Sequence, residues 1–158
     1  KHFPGLGSTA ANTDLRPATI PLSSAALRRV DEAPYEAFAA AGGKLVMVSS
    51  ARYPSLRDPK LPASQSKPVV KGELRARLGF EGVTITDSLE TPAATKGASA
   101  AKVALRAAGA GMDLLLYVHC DAGVRAARAL RNGLASGKLK RAAFEASVER
   151  VLELRAGL

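Results

Sequence analysis

The order of strand and helix signals is the feature that most constrains the fold of this chain. Strands are predicted at residues 44–50, 83–86 and 112–118, separated by stretches of helical character. Helices are predicted at 33–41, 67–78, 93–108, 122–133 and 140–155. This alternation is typical of a parallel α/β architecture, in which each strand returns through a helix. No internal repeat divides the chain, so it is predicted to form one domain.

A carboxylate marks the end of the second predicted strand. Asp87 stands directly after the run Val83-Thr84-Ile85-Thr86, which is rich in β-branched residues. In a barrel of parallel strands, the carboxyl ends of the strands deliver side chains to the active site. An Asp at this place has a second interpretation, because Asp often caps the helix that follows a strand. The residues alone leave both interpretations open.

The first seven residues, KHFPGLG, place a cation and an imidazole beside a Pro-Gly-x-Gly turn. Lys1 and His2 can both donate hydrogen bonds to neighbouring hydroxyl groups in a desolvated pocket. Residues 1–24 are rich in Gly, Thr, Ser, Asn and Pro, and they predict a loop long enough to be functional. Together with the carboxylate of Asp87, this motif suggests sugar chemistry.

Both motifs resemble those of glycoside hydrolase family 3, in its β-N-acetylhexosaminidase branch. Members of the branch typically carry a KHFPGHG-type loop and a strand end of the type (I/V)(S/T)D(D/A/S)L. The resemblance continues through residues 46–49, 61–66, 74–82 and 109–116 to the closing helix. It implies a (β/α)8 TIM barrel and a retaining hydrolase that removes terminal β-linked N-acetylhexosamine, such as N-acetylglucosamine, through a covalent glycosyl-enzyme intermediate. The implied partners are carbohydrates, cell-wall fragments among them, and no cofactor is implied.

The length of the chain does not suit a whole barrel, because 158 residues are present and such a barrel usually needs about 250. In the family, the motif at residues 1–7 follows the fifth strand. The chain is therefore predicted to hold only the second half of the barrel, from the loop after strand 5 through helix 8, as one domain over residues 1–158. The missing first half is then a predicted partner, and the fragment alone is expected to be inactive.

The resemblance gives roles to three residues of the two motifs. Asp87 corresponds to the nucleophile, which attacks the anomeric carbon and forms the covalent intermediate. Lys1 and His2 correspond to the paired ligands of the sugar hydroxyl groups. For His2 the alternative is a histidine that is packed in the core with its hydrogen bonds satisfied.

One loop departs from the family pattern. The branch usually shows Asp-Ser-His, whose histidine is the acid/base and is oriented by the aspartate, where this chain has Asn12-Thr13-Asp14. A carboxylic acid with a raised pKa can also donate the proton, so Asp14 is the candidate acid/base and Asn12 the residue that would orient it. The alternative is an ordinary turn in a non-catalytic protein that binds sugar or cell wall. Departures at Leu6 and Thr91 also leave open a β-glucosidase or glycoside phosphorylase of the same fold.

Three further polar residues are predicted to have no catalytic role. Asp113 precedes the last strand, at the barrel face that usually supports stability. His119 is interpreted as a spare loop histidine, and Cys120, the only cysteine, as a small buried hydrophobe. No cluster of His, Cys or carboxylate residues has the spacing of metal ligands, so no metal is predicted.

The formal net charge of +9 raises the question of nucleic acid binding. Basic residues such as Arg125, Arg128 and Arg150 fall mainly on helices, without aromatic residues between them that would stack on bases, and predict solvated helix faces. No nucleic acid partner is therefore predicted. No membrane span is predicted either, since no apolar run approaches about 20 residues. The sequence leaves the compartment open between the cytoplasm and export.

Overall fold

The structure is a computed structural model that describes all 158 residues, and a small parallel sheet lies at its centre. Strand β1 (Leu45–Val48) pairs in parallel with strand β2 (Val83–Thr86) over their full length. Phe3 extends the sheet beside β1 through a single bridge, and Leu114 extends it beside β2 in the same way. The order across the sheet is therefore Phe3, β1, β2, Leu114.

Helices connect and flank these segments. The α-helices are α1 (Ser24–Ala26), α2 (Ala33–Ala40), α3 (Pro92–Thr95), α4 (Ala100–Ala110), α5 (Cys120–Ala135) and α6 (Arg141–Ala156). Leu27–Asp31 and Pro68–Arg77 have the wider π-helical bonding, and Pro54–Leu56 and Ala63–Gln65 are single 3₁₀ turns. None of these helices has the length and apolarity that a membrane crossing requires.

The two faces of the sheet differ in how well they are covered. Side chains alternate along a strand, so Val46, Val48, Thr84 and Thr86 share one face, and all four are buried. This face joins the hydrophobic core, whose helical members include Val70, Leu74, Val103 and Ala107.

The opposite face is apolar but only partly covered. It carries Leu45, Met47, Ile85 and Leu114, which the register places together. Leu45 is 44% exposed, and Leu116, two residues beyond Leu114, is 36% exposed. Val83, which pairs with Leu45, is the one buried member of this face, and its other apolar side chains are only partly covered within the chain.

The helix predicted at 93–108 is interrupted in the structure. Lys96 and Gly97 have φ angles of 45° and 78°, between the end of α3 and the start of α4. Two consecutive residues with positive φ do not fit a continuous right-handed helix. Ser99 then caps α4, because its side chain accepts a hydrogen bond from the N–H of Lys102 at 3.4 Å.

The strand predicted at 112–118 is reduced to the single bridge at Leu114. Beyond that bridge, the N–H of Leu116 donates to the hydroxyl of Thr86 at 2.9 Å instead of to a backbone carbonyl. The side chain of Thr86 thus replaces one hydrogen bond of the ladder, and regular pairing ends there.

A buried carboxylate ties two helices to the sheet. The Asp113 side chain is fully buried and accepts hydrogen bonds from the N–H of Thr84 at 2.8 Å and from Arg75 and Arg150, each at 2.7 Å. Arg75 belongs to the π-helical segment after β1, and Arg150 belongs to α6. The structural role predicted for Asp113 is confirmed, whereas the prediction that Arg150 lies on a solvated face is wrong.

Candidate active site

Asp87 lies at the carboxyl end of β2, where the sequence placed it. Its backbone N–H donates to the carbonyl of Val48 at 3.1 Å, which fixes it against the end of β1. Its Oδ1 accepts a hydrogen bond from the N–H of Ser88 at 2.8 Å, and the side chain is 16% exposed. One carboxylate oxygen is therefore restrained by the backbone, while Oδ2 remains free of hydrogen bonds.

Asp87 does not cap the helix that follows β2. The N-cap of α3 is Thr91, whose side chain accepts a hydrogen bond from the N–H of Ala94 at 3.2 Å. The interpretation of Asp87 as a helix cap is therefore wrong.

His2 lies beside Asp87, with its Nε2 3.8 Å from Oδ2 of the carboxylate. Burial lowers the pKa of His2 below its usual 6.5, although the negative charge of Asp87 opposes this shift. The imidazole is therefore neutral at pH 7 and can donate one hydrogen bond and accept another. With its side chain 26% exposed, His2 is not the fully packed core histidine of the alternative interpretation.

Lys1 is exposed, and it lines a cleft of about 650 Å³ with His2, Leu6 and Leu45 at one edge of the sheet. Its positive charge contributes to lowering the pKa of His2, so the two side chains are within electrostatic range. Asp87 does not line this cleft. The structure thus brings His2, but not Lys1, into contact distance of the carboxylate.

A buried tyrosine fixes the turn that carries His2. Tyr53 is 1% exposed, and its hydroxyl donates to the carbonyl of Gly5 at 2.8 Å. Burial raises the pKa of Tyr53 above its usual range, so the hydroxyl keeps its proton and remains a donor. Gly5 itself has a φ of 147°, and a Cβ at this position would lie 2.6 Å from the side chain of Asp31.

Asn12 and Asp14 form an exposed Asx turn. Oδ1 of Asn12 accepts a hydrogen bond from the backbone N–H of Asp14 at 2.9 Å. The chain makes no hydrogen bond to the Asp14 carboxylate. The negative charge of Asp14 makes a small contribution that raises the pKa of His2, so Asp14 is within electrostatic range of that imidazole.

The sequence profile of the glycosyl hydrolase family 3 N-terminal domain matches residues 1–154. The chain belongs to glycoside hydrolase family 3. The matched range contains the KHFPGLG motif, the Asn12–Asp14 turn and Asp87, which were the candidate site residues from the sequence.

Known proteins show how much of a family 3 protein this chain spans. An uncharacterized secreted glycosyl hydrolase of Arthroderma benhamiae is 39% identical over 162 residues, which cover 100% of this chain and 46% of that protein. A β-hexosaminidase of Stenotrophomonas maltophilia is 34% identical over 120 residues, 75% of this chain and 35% of that protein. The solved family 3 β-N-acetylglucosaminidase of Paenibacillus sp. str. FPU-7 superposes with a TM-score of 0.94 at 35% identity, over 99% of this chain and 30% of that one. The chain thus spans less than half the length of each.

Glu90 and His119 form a carboxylate–imidazole pair at the carboxyl end of the sheet, the end that also carries Asp87. The sequence analysis did not predict this pair. Nδ1 of His119 is 2.8 Å from Oε1 of Glu90. His119 thus lies in a loop, as predicted, but its imidazole has a carboxylate partner that the sequence did not indicate. The one signal available in the sequence was an acidic residue three positions after Asp87.

The thiol beside this pair is not buried. Cys120 is exposed, contrary to the prediction, because it opens α5, whose buried face begins at Ala122 and continues at Ala126. No group of three or more His, Cys, Asp or Glu side chains comes together where it could hold a metal ion.

Proposed function

We propose that the protein containing this chain is a retaining glycoside hydrolase that removes terminal β-linked N-acetylhexosamine, with Asp87 as its nucleophile. One observation carries the proposal: the Asp87 carboxylate ends a parallel strand, does not cap the next helix, and has Oδ2 free beside His2. Similarity to a β-hexosaminidase and to a β-N-acetylglucosaminidase supports the choice of sugar.

The proposed reaction has two displacement steps. Oδ2 of Asp87 attacks the anomeric carbon while the glycosidic C–O bond breaks, and an acid donates a proton to the departing oxygen. Water then attacks the same carbon, the conjugate base removes its proton, and the ester bond to Asp87 breaks. The hydrogen bond from Ser88 to Oδ1 orients the carboxylate, so that Oδ2 is the attacking oxygen.

The neutral state of His2 suits a sugar ligand better than a counter-ion. A protonated imidazole would pair with Asp87 and weaken the nucleophile, but burial lowers the pKa of His2 and keeps the ring neutral at pH 7. A neutral ring can exchange hydrogen bonds with a sugar hydroxyl in the space beside Asp87. Lys1 would add an ammonium donor from the adjoining cleft.

Asp14 is the proposed acid/base, and Asn12 supports its loop. The Asx turn fixes the backbone of Asp14 and leaves the carboxylate exposed, so Asn12 would set the place of the residue rather than orient its oxygens. Catalytic contacts are often loose before substrate binds. The exposed carboxylate would make its contact with the glycosidic oxygen only when the sugar is bound.

The domain organisation proposed for the chain is the second half of a (β/α)8 barrel. The partly covered face of Leu45 and Leu116 corresponds to the inside of a barrel, which is normally filled by layers of side chains. Each outer edge of the sheet borders a cleft of about 650 Å³, one beside Lys1 and one beside Leu114. A first half that contributes the remaining strands would cover the face and both edges.

The nucleophile is tested by β-N-acetylglucosaminide hydrolysis with the full-length protein that carries this chain. Asp87→Asn should lower kcat by about 10⁴-fold or more, because the amide does not form the glycosyl ester. The matched control is Asp121→Asn, which removes an exposed carboxylate paired with Arg125 and should leave kcat unchanged. Normal turnover by Asp87→Asn would contradict the proposal.

Substrate choice is tested by comparing β-glycosides with and without the 2-acetamido group. A hexosaminidase should prefer the acetamido sugar, whereas a β-glucosidase of the same fold should prefer the plain glucoside. Adding inorganic phosphate and analysing the product distinguishes a phosphorylase, because the sugar 1-phosphate then replaces the free sugar.

The second candidate function is a non-catalytic sugar-binding protein, and the exposed Asx turn favours it. Such a protein would bind the sugar and release no product over long incubation. If Asp14 is the acid/base, Asp14→Asn should lower kcat by about 100-fold or more on glycosides with poor leaving groups. Unchanged kcat in that variant would remove Asp14 from the mechanism.

A further inference from the structure

Contacts between two neighbouring segments restrain the backbone that follows Asp87. The segment 87–90 leaves the end of β2, and the segment 114–119 runs beside it towards α5. The N–H of Leu116 donates to the Thr86 hydroxyl at 2.9 Å, and the N–H of Leu89 donates to the carbonyl of Leu116 at 3.1 Å. Glu90 makes the contacts between the two segments that lie farthest along the chain from β2.

The Glu90 carboxylate is held by three donors from two consecutive residues. Its Oε2 accepts hydrogen bonds from the backbone N–H of Val118 and, at 3.1 Å, from that of His119. Its Oε1 is 2.8 Å from Nδ1 of His119. His119 is the N-cap of α5 but makes no capping bond with its side chain. Because Glu90 accepts from the N–H of this residue, its carboxylate places a negative charge at the positive end of the helix.

The charge state of Glu90 agrees with this geometry. Desolvation would raise the pKa of Glu90, but the hydrogen bonds from His119 and Val118 outweigh it and lower the pKa. Glu90 is therefore ionised at neutral pH and available to all three donors.

We propose that Glu90 is a positioning residue for Asp87. This inference rests on the proposed function, because it requires Asp87 to be the nucleophile. The segment 87–90 is attached to β1 at its start, through the N–H of Asp87, and to the segment 114–119 at its end, through Leu89 and Glu90. Between these attachments lies the N–H of Ser88, which holds Oδ1 of Asp87 at 2.8 Å.

Loss of the Glu90 side-chain contacts leaves the bond from the N–H of Leu89 to the carbonyl of Leu116 as the only hydrogen bond between this segment and the segment 114–119. The Ser88 donor and the Asp87 carboxylate would then lose part of their fixed geometry. Displacement of a reacting group by about 1 Å can cost about 100-fold in rate. Glu90 itself does not need to touch the sugar, so its loss should act on kcat and not on KM.

The imidazole of His119 has the lesser part in this arrangement. Its side chain is 73% exposed, its Nε2 has no partner within the chain, and it supplies one of the three donors. The two backbone donors remain when the side chain is removed. His119→Ala should therefore keep most of the activity. If the imidazole were the acid/base, the same substitution would abolish most of it.

The test measures kcat and KM of the full-length protein with variants at Glu90. Glu90→Ala should lower kcat about tenfold or more at nearly unchanged KM, and Glu90→Gln, which keeps the size and one acceptor oxygen, should recover part of the loss. Hydrogen exchange at the Leu89 amide should be faster in Glu90→Ala. Glu145→Gln is the matched control, because it removes an exposed glutamate that pairs with Arg141 and should leave kcat unchanged.

The outcomes separate the positioning role from the nucleophile. If Asp87→Asn is inactive while Glu90→Ala and Glu90→Gln keep wild-type kcat, the positioning role is overturned and the nucleophile stands. If Asp87→Asn turns over normally, both fail together. If His119→Ala loses as much kcat as Glu90→Ala and the pH profile loses a limb, the imidazole acts directly and the positioning role is overturned. Thermal unfolding of each variant shows whether it folds. If Glu90→Ala does not fold, the kcat of Glu90→Gln decides the test.

Discussion

The conformation of Gly5 determines where His2 can lie relative to Asp87. A side chain at Gly5 would be strained at a φ of 147° and would meet Asp31 at 2.6 Å. Gly5→Ala in the full-length protein should therefore lower the free energy of unfolding by about 1–3 kcal/mol. It should also raise KM for the sugar, because the turn held by Tyr53 shifts and moves His2.

Gly7 provides the matched control for this prediction. It lies two residues away, has no positive φ, and a Cβ there would meet nothing within 4 Å. Gly7→Ala should change neither the unfolding midpoint in urea nor KM by a measurable amount. Equal effects of the two substitutions would show that the turn geometry of Gly5 does not control the site.

The residues of the site differ in how far the sequence could reveal them. Asp87 and His2 are each part of a local motif, so a strand end and a Pro-Gly turn sufficed to select them. Glu90 and Tyr53 act through partners that are 28 to 48 residues away in the chain. Such contacts depend on which segments the sheet brings together, and no local pattern contains that information.

At the scale of secondary-structure elements, the Asp113 carboxylate connects two helical segments to the sheet. Asp113→Asn should lower the free energy of unfolding by about 3 kcal/mol at pH 7, because it leaves two neighbouring guanidinium groups without their counter-charge. Asp121→Asn, whose exposed carboxylate pairs only with Arg125, should cost little. Urea unfolding of both variants of the full-length protein measures the difference.

The stabilisation by Asp113 should also depend on pH. Burial would raise the pKa of Asp113, but hydrogen bonds from Arg150 and Thr84 and the charge of Arg75 lower it below the usual 3.8. A lowered pKa means that the stabilisation is complete above the unfolded value and is lost as pH falls through the folded value. The difference between wild type and Asp113→Asn should be constant above about pH 5 and shrink below 3.8. A difference that is as large at pH 3 as at pH 7 would contradict this account.

The elements themselves were predictable where a local signal was strong. The strand at 83–86 matches β2, and the helix predicted at 33–41 ends within one residue of α2, because Gly42 and Gly43 stop it. The break between α3 and α4 was missed, since the Ala-rich composition around it favours a helix and the cap at Ser99 competes with that preference. The last strand was overestimated because its pairing beyond Leu114 depends on the hydroxyl of Thr86.

At the scale of the whole molecule, the partly covered sheet face predicts the behaviour of the isolated chain. The exposed apolar side chains of Leu45 and Leu116, together with two free parallel edges, favour association with another polypeptide. The 158-residue chain alone should hydrolyse no β-N-acetylglucosaminide and should elute as an associated species in size-exclusion chromatography. Co-expression with the preceding half of the protein should restore activity. A monomeric isolated chain that releases sugar would contradict the half-barrel organisation.

The most direct test of the central claim is to locate the covalent intermediate in the full-length protein. A fluorinated β-N-acetylglucosaminide with a good leaving group slows the hydrolysis of the glycosyl-enzyme, so that this intermediate accumulates. Intact mass spectrometry then detects the attached sugar, and peptide mass spectrometry locates it. The account predicts a mass increase of one sugar on the peptide that contains Asp87, and none in Asp87→Asn. An enzyme that hydrolyses the substrate but carries the sugar on another residue, or on none, would contradict it.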